Sequence, residues 1–140
     1  MRFDIVPAVS VNNIPFGASR EEVRNALGEY EEFKKDEDDK VTTDDFDFCH
    51  VFYDDENRFE AIEIFEENTV YINGRLVYPA KPSELCKLAD DFEEDYGTNI
   101  SLSLSMGTDA PDEDEDEEDE EIAESVVFAK KGYYDEFLLD

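Results

Sequence analysis

Apolar and polar positions along the chain change period several times, and each change predicts an element. Phe3 and Ile5 share one face of a short strand over residues 2–6, which Pro7 ends. In "IPFGASREEVRNALGEY" the period shifts to helical: Val23, Ala26, Leu27 and Tyr30 fall at i, i+3, i+4 and i+7. Ser19 with Glu22 three residues on forms a capping box at the start of this helix, and Gly28 supplies a stop. A polar connection, residues 34–45, precedes alternation over 46–53, where Phe46, Phe48, His50 and Phe52 oppose Asp47, Cys49, Val51 and Tyr53. Residues 58–66 read as the next strand, with Phe59, Ala61 and Phe65 against Ile62 and Ile64. "TVYINGRLVY" is a hairpin signal, because a two-residue type I′ turn needs positive φ twice and Asn73-Gly74 supplies it. Together these strands predict an antiparallel meander.

The second half predicts a helix over 81–96, with Pro82 in its first turn and a stripe of Leu85, Leu88, Ala89, Phe92 and Tyr96 ending at Gly97. "NISLSLSM" alternates, which places Ile100, Leu102, Leu104 and Met106 inward and the serines outward. "ESVVFAKK" reads as its partner strand, and Tyr133, Tyr134, Phe137 and Leu138 are expected to cover the core. The fold class expected is α+β: two helices packed on an antiparallel meander sheet, with a closing hairpin interrupted by an acidic loop. At 140 residues the chain, 1–140, is expected to be a single domain.

Charge changes this picture most. The run "PDEDEDEEDEE", residues 111–121, holds ten acids in eleven positions, and it lies between two strands rather than in a tail. Self-repulsion predicts a disordered, solvated loop over 107–123; the alternative is a segment that orders against a basic partner. The net charge is −29, yet removing residues 109–124 takes away 12 acids and no base, leaving 29 acids against 12 bases, a net −17. The folded body is therefore acidic too. Such a surface repels nucleic acid and anionic lipid and speeds encounter with basic proteins. The body acids chosen as partner-binding candidates are Asp44, Asp45, Asp47, Asp54, Asp55, Glu63, Glu66, Glu67, Asp91, Glu94 and Asp95; the competing reading is an ordinary solvated face.

Groups for catalysis are few. His50 is the single histidine, and Cys49 beside it points to the opposite strand face, so the two do not form a thiolate and base pair. A Gly-rich phosphate loop, a CxxC pair and an HExxH pair are all lacking, so neither an enzyme nor a cofactor is expected. An EF-hand alignment of Asp112, Asp114 and Asp116 puts Glu117 where the sharp turn needs Gly and Ala123 where the bidentate acid belongs, so no metal site is expected. Two cysteines do not make a disulfide framework, no apolar run approaches a membrane span, and the first residues lack a signal segment. A cytoplasmic location is the expectation.

Phe16, Gly17, Ser19, Glu22, Val23, Leu27 and Gly28, followed by strand, turn, strand and an Asn-Gly hairpin, form a pattern that resembles small bacterial proteins of the immunity type. It is also similar to beta-lactamase inhibitory proteins and outer-membrane assembly lipoproteins. In those a Gly-Met-Ser/Thr-x-x-Glu-Val-x-x-x-Leu-Gly segment opens a helix on an antiparallel meander. Ala18 stands here where Met is usual, and the proline that often follows the final Gly is missing. The resemblance implies a binding protein rather than an enzyme and transfers no functional residue. The function expected is a non-enzymatic immunity protein that occludes a basic toxin domain such as a nuclease. The alternatives are a DNA-mimic inhibitor of a nucleic-acid-binding protein and a structural domain without inhibitory role.

Overall fold

The computed structural model describes residues 1–34, 36–111 and 118–135. Its strands are β1 (Arg2–Val6), β2 (Ser10–Val11), β3 (Ile14–Pro15), β4 (Glu31–Phe33), β5 (Thr43–Asp45), β6 (Cys49–Tyr53), β7 (Phe59–Phe65), β8 (Thr69–Ile72), β9 (Arg75–Tyr78), β10 (Phe92–Asp95), β11 (Thr98–Ser101), β12 (Met106–Asp109) and β13 (Ser125–Ala129). Helix among the described residues comprises α1 (Arg20–Leu27), the single turn α2 (Pro82–Leu85), a 3-10 turn at Cys86–Leu88 and the single residue Asp135. The molecule is thus α+β in the broad sense but mostly sheet.

Two sheets share one core. The larger has eight strands in the order β10-β11-β12-β13-β7-β6-β5-β4, every neighbouring pair antiparallel. It is two four-stranded meanders joined along β7 and β13. The smaller runs β3-β2-β1-β8-β9, with β1 and β8 parallel. Phe3, Ile5, Val11 and Val70 of the smaller sheet bury against Val51, Ile62, Ile64, Val126 and Phe128 of the larger. Burying side chains of this size stabilises by roughly 1.5–3 kcal/mol each, which makes the shared face the main source of stability.

The first helix forms as its caps predict. Ser19 Oγ accepts from the Glu22 N–H at 3.2 Å, and Gly28, at φ 99°, donates to the Arg24 carbonyl. Val23 is its buried contact, whereas Ala26 is exposed. The Asn73-Gly74 hairpin also forms, at φ 52° and 80°.

The expected meander breaks after β7. Asn68, nearly enclosed, donates to the carbonyls of Phe48 (2.8 Å) and Phe65 (3.0 Å), and the chain turns there into the other sheet, where β8 pairs with β1. A short polar strand, β4, precedes the segment read as a connection and another, β5, forms within its last three residues, and the strand expected from residue 46 starts at Cys49. Asp47 (φ 77°) turns the chain there, with its N–H held by Asp45 Oδ1.

The helix expected over 81–96 is corrected. Only its first turns are helical, with Leu85 buried; Ala89 is extended, and Tyr96 (φ 49°) and Gly97 (φ 85°) make a two-residue turn that pairs β10 with β11. Tyr96 is fully exposed, so the last member of the apolar stripe covers nothing. "NISLSLSM" is likewise not one strand: residues 102–105 turn, Leu102 is exposed, and Ser101 and Ser105 are buried and hydrogen-bonded. "ESVVFAKK" does contain a strand, but its partner is corrected: it pairs with Met106 to Thr108, of which only Met106 belongs to "NISLSLSM", while Gly107 and Thr108 lie in the stretch expected as loop. The acidic segment therefore joins two paired strands; its residues 112–117, and Phe137 and Leu138 at the other end, lie outside the described residues.

Candidate partner-binding face

Alternation along β5 sends neighbouring acids to opposite sides of the large sheet. Asp44 points inward, beneath α1, and is completely buried. Arg20 and Arg24 lie one helical turn apart on α1, so both reach it. Arg20 donates to Oδ1 at 2.9 Å, and Arg24 donates through Nε to Oδ2 and through a terminal nitrogen to Oδ1, both at 2.8 Å. The Tyr53 hydroxyl adds a fourth bond at 2.8 Å, and its ring lies under the Arg20 guanidinium. Burial alone would push the Asp44 carboxyl up, but the Arg24, Arg20 and Tyr53 donors outweigh it and hold it below its ordinary value. Burial, then the carboxylate, push the Tyr53 phenol up. Asp44 is therefore a clamp between helix and sheet and cannot meet a partner, which corrects its choice as a contact residue.

Asp45 points outward, and register carries it into a row that crosses all eight strands. Directly opposed residues are Glu31, Asp45, His50, Glu63, Val127, Gly107, Ile100 and Glu93. His50 stands between two carboxylates, with Nε2 3.5 Å from Asp45 and Nδ1 3.8 Å from Glu63. Its ring meets Phe33 and Phe65 edge-on at centroid distances of 5.1 and 4.9 Å. Glu63 also accepts from Ser125 Oγ at 2.9 Å.

Two concavities flank the row at its β4 end. One, of about 370 Å³, is lined by Phe33, His50, Phe52, Glu63, Val127, Tyr133 and Tyr134. The other, of about 530 Å³, lies at the end of α1 and is lined by Leu27, Tyr30, Phe46 and Phe48 with Glu29, Glu31, Asp45 and Asp47. Towards β12 the same sheet face is covered, because Tyr134 lies over Ala61, Ile100 and Ala129.

The other chosen acids are dispersed. Asp54 organises the β6–β7 turn, accepting from the N–H groups of Glu56 and Arg58, beside an exposed Asp55. Glu66 and Glu67 are exposed at the crossover between the sheets. Asp91 accepts from Ser101 Oγ and from the N–H and Oγ of Ser103, which pins the 102–105 turn. Burial would raise its carboxyl, but these donors hold it low. Glu94 and Asp95 lie on the edge strand β10. Only Asp45, Asp47 and Glu63 are thus gathered at one place; Glu29, Glu31 and His50 join them, and no sequence signal short of strand register brings those three in.

Cys49 lies in the core opposite His50, and burial, followed by Asp45, pushes its thiol up to about 12. Among the described residues no three His, Cys, Asp or Glu are arranged to hold a metal ion, and no helix is long and apolar enough to cross a membrane. In comparisons with known proteins the chain matches no family model, no curated protein and no solved structure.

Proposed function

We propose that this chain is a non-enzymatic, cytoplasmic binding protein of the immunity type, which occludes a basic protein such as the nuclease domain of a toxin. The contact face is the outer side of the large sheet between β4 and β7. The observation that carries this reading is the row Glu31, Asp45, His50, Glu63 with an aromatic concavity on either side. Glu31 and Asp45 oppose each other directly, and like charges so placed destabilise a sheet. Local choices that cost stability without an internal return mark functional surface. Rings beside carboxylates also suit a basic partner, since aromatic anchors supply buried area and charge supplies steering.

The test compares the wild-type chain with a D45N/E63Q chain, each immobilised and exposed to extract from its own cells, followed by titration of whatever purified basic protein is retained. Retention by the wild type alone, with affinity falling as salt rises, supports the reading. Equal retention by both chains, or retention of no basic protein, sinks it.

A further inference from the structure

We propose that the concavity between Phe33, Phe52, Val127 and Tyr133 is an anchor site for a single arginine side chain of the partner, with Glu63 as its counter-charge. This rests on the reading that the occluded partner is basic, and it assigns the point of contact.

Charge complementarity selects the occupant. Several acids elsewhere have cations: Asp44 has Arg20 and Arg24, Glu32 has Arg24, and Asp54 and Glu60 share Lys130, whereas Asp91 is held by serine donors. Among the described residues no lysine or arginine lies within ion-pair distance of Asp45 or Glu63; His50 is their shared neighbour. Among the described residues the lining of the concavity contains no lysine or arginine either. One carboxylate oxygen of Glu63 is taken by Ser125 Oγ, which orients the group and leaves Oε1 on the His50 side.

Ring chemistry selects arginine over lysine. A guanidinium is planar, weakly hydrated and able to stack on aromatic faces while bonding a carboxylate, whereas an ammonium is compact and strongly hydrated. The Phe33 ring lining the same concavity as the Glu63 carboxylate matches the first description. The volume, about 370 Å³, is at the small end of ligand sites and has room for one side chain.

The probe is the peptide acetyl-Gly-Arg-Gly-amide, titrated into the full chain at low salt and followed by amide and aromatic resonances. Controls carry lysine or citrulline in place of arginine. Saturable shifts centred on His50, Phe52 and Val127 are expected, at least threefold tighter for arginine than for lysine and lost with citrulline. Glu63→Gln, whose amide oxygen can still accept from Ser125, is expected to weaken the arginine peptide at least tenfold with the rest of the spectrum unchanged. Equal response to citrulline, shifts spread evenly over the acidic surface, or an unchanged E63Q chain would each overturn the site. An absent peptide response with basic-protein retention intact removes the anchor and leaves the proposed function standing. A local arginine response with no basic protein retained does the reverse.

Discussion

Asp44 faces two arginines and a tyrosine under α1, whereas Asp45, one residue on, faces outward into a row with Glu31, His50 and Glu63. The inner carboxylate is fully buried and satisfied; of the outer ones Glu31 is exposed, while Asp45 and Glu63 are part exposed and share one imidazole. Every donor on Asp44 is turned inward, so that group serves the fold alone. The outer acids gain little from the fold and repel one another across the strands. The same residue type at adjacent positions therefore sits in two opposite environments, and the sheet's alternation decides which.

Breaking the inner member should have the largest effect. Asp44→Ala leaves Arg20 and Arg24 facing each other beneath the helix without their shared anion. Removing one partner of a buried pair costs about 3–5 kcal/mol. The low end, about 3, is expected here, because the arginine side chains keep 15% and 22% exposure and reach other acceptors. Urea unfolding at neutral pH measures it.

The same clamp gives a pH signature. The Asp44 carboxyl is held below 3.8 in the folded chain. A folded value below the unfolded one contributes stability that is present above the unfolded value and lost as pH falls through the folded value. Wild type should therefore lose stability steeply below about pH 4, near the unfolded carboxyl value, and an Asp44→Asn chain should show a shallower loss there. Parallel slopes for the two chains would show that other acids carry the acid transition.

How far the sequence could show this contrast depends on range. The capped helix, the Asn-Gly hairpin, β1 and the strand β13 rest on local chemistry, and all were legible; the partner of β13 was not, because it lies almost wholly in the stretch read as loop. The helix expected over 81–96 failed because Tyr96-Gly97 closes a hairpin without the usual Asn, while the Leu85, Leu88 and Phe92 spacing imitates a helical stripe. "SLSLS" failed because serines that punctuate a turn pinned by Asp91 look like the polar half of a strand. Of the candidate face, the acidity was legible but not its grouping. Asp44 and Asp45 cannot be told apart without knowing where β5 begins, and Glu31 meets Asp45 only through a register between β4 and β5 that their side chains do not advertise.

The outer face is itself divided, and a second substitution tests the divide at an intermediate size. Tyr134 lies so close over β12 that a Cβ on Gly107 would sit 2.7 Å from its hydroxyl oxygen and 3.2 Å from Cζ. Gly107→Ala must push the ring away, and overpacking of this kind costs about 1–3 kcal/mol. Adding Tyr134→Phe removes the closer of the two clashes, so the double variant should recover part of the loss. No recovery would place the cost in the β12 backbone rather than under the ring.

The smallest stability effect should come from the uncovered part of the row, and there the smallness is the point. Asp45→Asn with Glu63→Gln keeps shape and hydrogen-bonding oxygens and removes two like charges from a strongly acidic chain. Surface substitutions away from caps and buried partners stay within about ±0.5 kcal/mol, and easing repulsion pushes this one towards gain. If partner affinity falls while the unfolding midpoint holds or rises, the outer carboxylates are kept against the interest of the fold. If stability instead falls by an amount near that of Asp44→Ala, Asp45, His50 and Glu63 are a second clamp, and the division between the two sides of the sheet disappears.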